Sequence, residues 1–477
     1  NVYCGISRCN TVIRAIRKAD ESSVPANRSR IAEMRVIRDH WYFELVRLFN
    51  RIPYMDIDLP ENEYPFVRND EFTREEHLDR IADDLLEAAA DLPETQTQIG
   101  RINKRAALAY AAKVKLYRAY EQDATTNAVV NIDKSILREV VEIIDGIHGY
   151  ELLPDFQYLD LLEYENGPES VLAVQFSKND GTNDGGRVNW SMLLNSMTGP
   201  GCPWQGDGFF LPSQDLINAY QTDADGLPLF DYQSRPDYGV VKFDENDNNI
   251  YRLDNVDGNV DPRLDFVTGS TNIRYKTYGV SPCGLWVRNR DAYGYNNTKR
   301  FWLSPESADA NQGWPWGASA LNWQIIRYAD LLLYKAEALI EIGGADNLDE
   351  ARRLINRVRD RAAKSAYVKD FNDPSRYAAN YKIALYPEGG WTQDYARQAL
   401  RTEMRLEKAM EGERFYDLVR WGIAKEVMNN YFRAEKDNRI YYQDASFETG
   451  YEYFPVPVAQ YNFSGGIYVQ NPGYPSF

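Results

Sequence analysis

The chain has 477 residues, 13% of them aromatic, and a formal net charge of −17 at pH 7. This charge excludes nucleic acid and anionic membrane surfaces as partners, because binding to nucleic acid depends on Lys and Arg neutralising phosphates. It favours a neutral or cationic ligand. No apolar run reaches the roughly 20 residues that span a bilayer.

The first 150 residues are dominated by helical periodicity. The sequence TREE at residues 73–76 is a capping box, which predicts the start of a helix, and Pro93 predicts its end. The segment 104–122 is rich in alanine, which permits close packing of helices. Antiparallel helix pairs with short connections are typical of a tetratricopeptide-like array. The predicted helical segments of this part are residues 30–49, 73–92, 104–122 and 136–147.

The pattern changes near Tyr150. Residues 169–177 predict a short buried strand. Residues 178–322 are rich in Gly, Asn, Asp, Pro and aromatic side chains and contain few periodic segments. Long irregular loops in a compact domain are usually functional, so this insertion is where we expect a ligand to bind.

Helical patterns return after the insertion. They cover residues 323–344, 348–363 and 396–424, and an extended, proline-rich tail follows. We therefore predict three parts of the chain. These are a helical scaffold at 1–150, a loop-rich ligand-binding region at 151–322, and a second scaffold part with an extended tail at 323–477.

Side chains that carry catalysis or bind metals are sparse. The three histidines have no partner at metal-ligand spacing, and we expect His77 and His148 on solvated faces. No Ser-His-Asp set is present, and carboxylate spacing indicates nothing among 71 acidic residues. We predict no catalysis, no cofactor and no metal site.

The four cysteines contain no CxxC motif, which argues against a zinc or thioredoxin-like site. Cys4 and Cys9 are expected on different faces of one helix. Cys202 and Cys283 both lie in aromatic loops, and the sequence leaves open whether they form a bridge or remain free thiols. The sequence DNVDGNVD, residues 254–261, matches a calcium loop only in part, since it lacks the acidic third position and the twelfth Glu.

Aromatic side chains with Gly, Pro or Asn neighbours concentrate in the insertion. For any one of them, the simpler interpretation is that it fills a small core. As a group they favour stacking on sugar rings, with Asn289 and Arg290 as nearby hydrogen-bond donors. The predicted glycan-binding residues are Trp204, Trp286, Asn289, Arg290, Tyr293, Tyr295, Trp302, Trp314 and Trp316.

The sequence GWPWG holds the most compact aromatic pair. A proline restricts the backbone between Trp314 and Trp316, and flanking glycines allow tight turns. A stiff pair of rings loses little entropy on binding. We predict that both rings lie at the surface with Trp286 around one groove, with Tyr293 and Tyr295 nearby.

Six motifs along the chain carry a resemblance to a known family. The most specific is NWQIIRYADLLLYKAEAL followed by ARRLINRVRDRA, in which we read Trp323 as structural. The others are RDHWYFELVRLFNRIPYMD, RINKRAALAYAAKVKLYRAY, PSQDLINAYQTDADGLPL with DPRL, ERFYDLVRWG, and FPVPVAQYN with QNPGY. Because the six motifs follow one another along the chain in the family's order, over essentially its whole length, the chain resembles the SusD/RagB-like outer-membrane lipoproteins of Bacteroidetes.

The resemblance implies a mostly α fold, in which four tetratricopeptide-like helix pairs support an irregular ligand-binding region. It also implies capture of oligosaccharides without catalysis by a surface-exposed lipoprotein of the cell outer membrane. The partner would be a SusC-like TonB-dependent barrel, for which the protein acts as a hinged lid. The lipid anchor would lie outside this sequence, because Cys4 falls in a stretch that matches a family helix. The abrupt helical start leads us to expect further residues before Asn1, including part of the family's binding arc.

Other interpretations stay open. A peptide-binding relative of the same importer type is the main alternative, and the aromatic excess favours a glycan over a peptide. A repeat scaffold for protein partners is a second, against which the long insertion argues. A glycoside hydrolase is a third, which an assay of oligosaccharide cleavage distinguishes. Trp314 or Trp316 alternatively anchors the contact with the barrel, since Trp is enriched at interface hot spots.

Overall fold

The computed structural model of the chain describes residues 2–20, 22–182, 186–195, 197–202, 206–244, 246, 251–302, 307 and 318–477, without the side chains of residues 193 and 291. The described residues form fifteen α-helices, α1 to α15, in the order Val2–Lys18, Asn27–Phe49, Arg74–Asp91, Lys104–Ala119, Lys134–Asp145, Ser191–Asn195, Gln214–Ala219, Arg263–Val267, Arg290–Tyr293, Tyr328–Ile342, Ala345–Lys364, Gln393–Glu407, Arg414–Arg420, Ala424–Glu435 and Val458–Phe463.

Twelve short strands accompany these helices within the described part of the chain. As β1 to β12, they are Tyr120–Gln122, Val129–Ile132, Ser170–Val174, Val240–Phe243, Tyr251–Asp254, Asn259–Val260, Thr268–Gly269, Arg274–Tyr275, Gly279–Val280, Asn297–Thr298, Trp323–Arg327 and Asn380–Tyr381. They pair two by two, as β1–β2, β3–β11, β4–β5, β6–β12, β7–β10 and β8–β9. All pairs are antiparallel except β6–β12.

The long helices pack in chain order into one helical array. Each of α1 to α4 packs on the helix that follows it, α5 packs on α10, and α10 packs on α11 and α12. One hydrophobic core runs through all of these helices. Because α5 meets α10 directly, the residues between them leave the array and return to it. This confirms the predicted mostly α fold with a large insertion, while the three domain boundaries remain a prediction.

Local sequence signals account for the helices of the array. At the start of α3, the Glu76 backbone N–H donates to Thr73 Oγ1 at 3.2 Å, and the Thr73 N–H donates to Glu76 Oε2 at 2.7 Å. This is the predicted capping box. The alanines of α4 are buried, including Ala107 and Ala111, which lets α3 and α5 approach closely on either side. The small alanine side chains of α4 thus allow short distances between α4 and its two neighbouring helices.

Two segments predicted as single helices are divided. Residues 323–327 of the predicted helix 323–344 form β11, which pairs with β3 and places Trp323 opposite Val174. β-branched and aromatic side chains favour this strand. The predicted helix 396–424 breaks after Glu407, because Met410 and Gly412 adopt φ angles of 66° and 81°, which no right-handed helix accommodates.

The histidine and cysteine predictions have mixed outcomes. The placement of His77 on a solvated face is wrong. It is fully buried, because α3 turns it toward the rings of Tyr54 and Phe72. His148 is exposed, as predicted. None of the four cysteines, all of which lie in the described part of the chain, forms a disulfide, so Cys202 and Cys283 are not bridged. Cys9 is buried and Cys4 is exposed.

Buried ion pairs tie the insertion to the array. Arg263 of α8 donates to Asp261 Oδ2 at 2.7 Å and to Glu403 Oε1 of α12 at 2.6 Å. Arg300 lies 3.2 Å from both Asp160 Oδ2 and Glu411 Oε1. These side chains are all at least nine-tenths buried. Such pairs are costly to break on one side, so they hold the loops of the insertion in one position on the array.

None of the described helices is long and apolar enough to cross a membrane. Within the same residues, no group of three or more His, Cys, Asp or Glu side chains is arranged to hold a metal ion.

Candidate ligand-binding cavity

A four-residue helix positions two of the predicted binding residues. The Asn289 side chain caps α9 by accepting a hydrogen bond from the Ala292 N–H at 3.3 Å. Gly294 ends the helix with a φ angle of 83°, a conformation that favours glycine. The helix therefore presents Arg290 and Tyr293 from its first and last positions, while Asn289 serves as their cap.

Arg290 and Tyr295 converge on one aromatic side chain of the neighbouring hairpin. The Arg290 Cζ lies 4.9 Å from the centre of the Phe243 ring, and the Tyr295 ring centre lies 5.7 Å from it. Gly284, with a φ angle of 59°, leaves room for both, since a Cβ there would lie 2.7 Å from Tyr295 Cδ1. A cation over a ring face contributes about 0.5–1 kcal/mol at an exposed site.

These side chains border a cavity of about 290 Å³. One wall is formed by α9 and the loop after it, and a second by β4. The third wall comes from the segment that begins at the end of α14, well over a hundred residues further along the chain. The lining residues are Pro212, Gln214, Asp237, Gly239, Val240, Val241, Lys242, Arg290, Tyr293, Gly294, Tyr295, Asn296, Glu435, Asp437, Asn438 and Arg439.

The third wall is held by Arg439. Its guanidinium donates to the carbonyl oxygens of Leu211 and Pro212 at 3.2 and 3.0 Å. Beyond it, the half-exposed ring of Tyr441 lies 5.7 Å from the ring of Tyr293. An aromatic contact thus joins α9 to the chain that follows the third wall.

The charges of the lining are balanced in number. Lys242, Arg290 and Arg439 carry positive charge, and Asp237, Glu435 and Asp437 are carboxylates. Burial raises the pKa of the Glu435 carboxyl to about 7, against a lowering effect from the Asp215 backbone N–H that hydrogen-bonds it. A carboxyl that titrates near neutrality is typical of a functional cavity. The balanced lining suits an uncharged ligand with many hydroxyl groups.

Two of the predicted tryptophans are not at the surface, so the prediction for Trp286 is wrong and Trp302 offers no ring face to a ligand. Trp286 is 2% exposed, packs edge-on against Tyr275 at 5.5 Å, and donates to the Pro200 carbonyl oxygen at 3.3 Å. Trp302 is fully buried in the same small core. The physical reason is that an irregular insertion fills its small core with large rings, which is the simpler interpretation of any single aromatic residue.

Trp204, Trp314 and Trp316 lie outside the described residues, so their role in a site remains a prediction. Of the other predicted residues, the structure brings Arg290, Tyr293 and Tyr295 together around the cavity and uses Asn289 as their helix cap. The C-terminal wall with Glu435 and Arg439 was not predicted. A polar run after a helix is common, so its sequence carries no signal of a site.

Two family models cover most of the chain. The family described as "SusD family" matches residues 168–474, and the family described as "Starch-binding associating with outer membrane" matches residues 1–116. The second description places its members at the outer membrane.

Individual relatives agree with these matches. The SusD-like protein P2 of Formosa agariphila is 24% identical over 446 residues, which are 93% of this chain and 74% of that protein. A solved SusD-like carbohydrate binding protein from Bacteroides fragilis has 21% identity and a TM-score of 0.67, with 97% and 83% of the two chains covered. The surface glycan-binding protein A from Bacteroides fluxus has 20% identity and a TM-score of 0.65, with 99% and 84% covered. At these identities the solved structures show a common fold.

Proposed function

Since this chain belongs to the SusD family, we propose that it captures oligosaccharides at the outer membrane and holds them in the cavity between α9, β4 and the segment after α14. The observation that carries this proposal is the convergence of Tyr293, Tyr295 and Arg290 on one open cavity. Flat rings stack on the apolar faces of sugars, and guanidinium and amide groups bind their hydroxyls. A relative that is named for glycan binding shares the fold.

The exposed edge of β4 adds backbone groups to the cavity. Consecutive side chains of a strand point to opposite faces, yet Val240, Val241 and Lys242 all line the cavity. The cavity therefore runs along the edge of the strand, on the side away from its partner β5. Backbone N–H and C=O groups at such an edge provide donors and acceptors for ring hydroxyls.

Within this proposal the protein delivers its ligand to a SusC-like TonB-dependent barrel in the same membrane and acts as a surface-exposed lipoprotein. Its role is binding without bond cleavage. Solved relatives described as carbohydrate binding and glycan-binding proteins support this non-catalytic role. Capture of a peptide in the same cavity is the alternative, and a titration with both kinds of ligand distinguishes the two.

The test is calorimetric titration of the purified chain with a panel of neutral oligosaccharides and with peptides of matched size. We expect a neutral oligosaccharide to bind and to remain uncleaved. The double variant Tyr293→Ala, Tyr295→Ala should weaken binding about ten- to a hundredfold, from about 1 kcal/mol for each ring. The matched control is Tyr451→Ala, which removes an exposed ring from the C-terminal segment.

Three outcomes contradict the proposal. Binding of a peptide but of no oligosaccharide would favour the alternative function. An oligosaccharide that shortens on incubation would indicate an enzyme. Unchanged affinity in the folded double variant would place the glycan elsewhere, and the variant Trp314→Ala, Trp316→Ala then tests the other predicted pair.

A further inference from the structure

A second groove lies against the scaffold. It has a volume of about 430 Å³ and is bordered by the connection between α3 and α4, by the chain after α5, and by β3. None of its described lining residues is shared with the cavity at α9. The groove is therefore a separate candidate binding site, and the residues of its walls indicate the kind of ligand that it binds.

One wall is the free edge of a strand. Residues 170–173 are consecutive in β3 and all line the groove. Because side chains alternate between the two faces of a strand, only an edge exposes consecutive residues along one groove. Among the described residues, β3 has β11 as its one partner strand, on its other side. The edge facing the groove thus presents backbone groups that no described strand pairs.

A carbonyl of β3 contacts a side chain that lines the groove. The Gln175 Nε2 lies 3.5 Å from the Ala173 carbonyl oxygen, at the long limit of a hydrogen bond. The same Gln175 amide exchanges hydrogen bonds of 3.0 Å with the Asn166 amide. An incoming backbone N–H at Ala173 would replace a long contact with a shorter one.

The charge of the groove is the reverse of the charge of the chain. Its charged lining residues are Arg101 and Arg105, with no carboxylate among the described residues of the lining, although the whole chain has a net charge of −17. Arg101 pairs with Glu33 at 2.6 Å and Arg105 with Glu94 at 3.5 Å, and neither carboxylate is among the lining residues. This arrangement favours a segment with acidic side chains.

The groove is poorly suited to a sugar ring. Tyr150 is the aromatic residue of its described lining, and its ring is stacked at 6.4 Å on the ring of Tyr328. The rim instead carries an aliphatic side chain, Ile99, which is 77% exposed. A strand edge, an aliphatic rim and two arginines together match an extended polypeptide.

We propose that this groove binds an extended, acidic segment of a partner protein, which adds to the edge of β3 as a third strand. The five residues of β3 span about 17 Å at roughly 3.3 Å per residue, enough for a partner segment of equal length. Main-chain hydrogen bonds supply the affinity, and Arg105 with Ile99 selects an acidic segment with an apolar residue. This interaction is independent of glycan capture at the α9 cavity.

The experiment is selection from a displayed library of random peptides, each about 12 residues long, against the full chain, followed by titration of the enriched peptides in solution. We expect enrichment of acidic sequences with alternating apolar residues. Methylation of alternate backbone nitrogens in an enriched peptide should weaken binding by roughly tenfold or more, because a methylated nitrogen cannot join a strand pair. Ile99→Asp and Arg105→Ala should each weaken the unmethylated peptide about five- to tenfold.

Arg290→Ala is the matched control, because it removes an arginine from the other cavity and should leave peptide affinity unchanged. The proposal is overturned if no acidic peptide is enriched, if binding survives backbone methylation, or if it survives both groove variants. Ile99 is mostly exposed, so its variant should fold even if Arg105→Ala does not. Failure here leaves the glycan proposal intact, since the groove variants should titrate oligosaccharide like the parent chain.

Discussion

Arg327 Nη1 lies 2.6 Å from Glu407 Oε1, with both side chains buried, and this pair joins the end of β11 to the end of α12. The same guanidinium reaches Glu169 Oε1 at 2.9 Å and Glu411 Oε1 at 3.0 Å. One arginine at the end of β11 therefore links Glu169, which precedes β3, to the end of α12 and to the turn after it. It belongs to the motif NWQIIRYADLLLYKAEAL, the most specific of the family motifs.

Replacing Arg327 should destabilise the whole fold. Arg327→Met keeps an unbranched apolar stem but removes one of the cations of this buried cluster, and it leaves Arg361 alone as the partner that Glu169 and Glu407 share. Removing one partner of a buried pair costs about 3–5 kcal/mol. We expect a loss of this size in the free energy of unfolding, measured by chemical denaturation at neutral pH.

The matched control is Arg353→Ala. Arg353 pairs with Asp349 and Glu350 on the exposed face of α11, where the side chain of the arginine is 59% exposed. Exposed pairs contribute about 0–1 kcal/mol. Equal losses in the two variants would show that the Arg327 cluster is no more important than a surface ion pair.

Gly284 should control the shape of the candidate cavity. Gly284→Ala adds a Cβ 2.7 Å from Tyr295 Cδ1 and 3.1 Å from Arg290 Cδ, at a φ angle of 59°. Overpacking and positive φ each cost about 1–2 kcal/mol. We expect a loss of about 2–4 kcal/mol in unfolding free energy and weaker oligosaccharide binding in calorimetry.

Gly389→Ala provides the comparison. This glycine is exposed, no described atom lies within 4 Å of the point that its Cβ would occupy, and its φ angle lies outside the left-handed region. It should change neither stability nor binding by a measurable amount. If Gly284→Ala binds oligosaccharide like the parent chain, then Tyr295 and Arg290 do not shape the binding site.

The helical array was predictable because its signals are local. Thr73 and Glu76 form the capping box that fixes the start of α3, and they are near neighbours in the sequence. The alanines of α4 recur along the helix and permit packing on both sides. Each such signal acts within one helix, so the sequence alone places the array and its order.

The site was only partly predictable, because side-chain direction in irregular loops has no period. Trp286 and Tyr293 both stand among Gly and Asn residues, yet the first is buried and the second lines the cavity. Glu435 and Arg439 reach the same cavity through the folding of the array, from a helix end that resembles any other. Long-range placement of this kind leaves no mark in a local pattern.

His77 should make stability fall in acid. Burial lowers the pKa of its imidazole to about 4 from an ordinary value of 6.5, so below pH 6.5 the unfolded chain binds a proton that the folded chain does not. Its contribution is complete above pH 6.5 and declines as the pH falls toward 4, by about 3 kcal/mol in total. His77→Phe should remove this slope in denaturation experiments between about pH 4.5 and 7. Parallel curves for the variant and the parent chain would show that His77 is protonated equally in both states.

Glu435 should have the opposite effect over nearly the same pH range. Burial raises its pKa to about 7 from an ordinary value of 4.5, so the folded chain keeps a proton that the unfolded chain has lost. Its contribution to stability is complete below pH 4.5 and is lost as the pH rises through 7, again by about 3 kcal/mol. In the parent chain the pH dependences of stability from His77 and Glu435 largely cancel, so only single variants reveal them.

Glu435→Gln keeps the oxygen that accepts the Asp215 N–H but cannot ionise. The difference in unfolding free energy between this variant and the parent chain should therefore shift in favour of the variant from about pH 5 to about pH 8. A difference between variant and parent that does not change with pH would show that the Glu435 carboxyl ionises alike in the folded and unfolded chains.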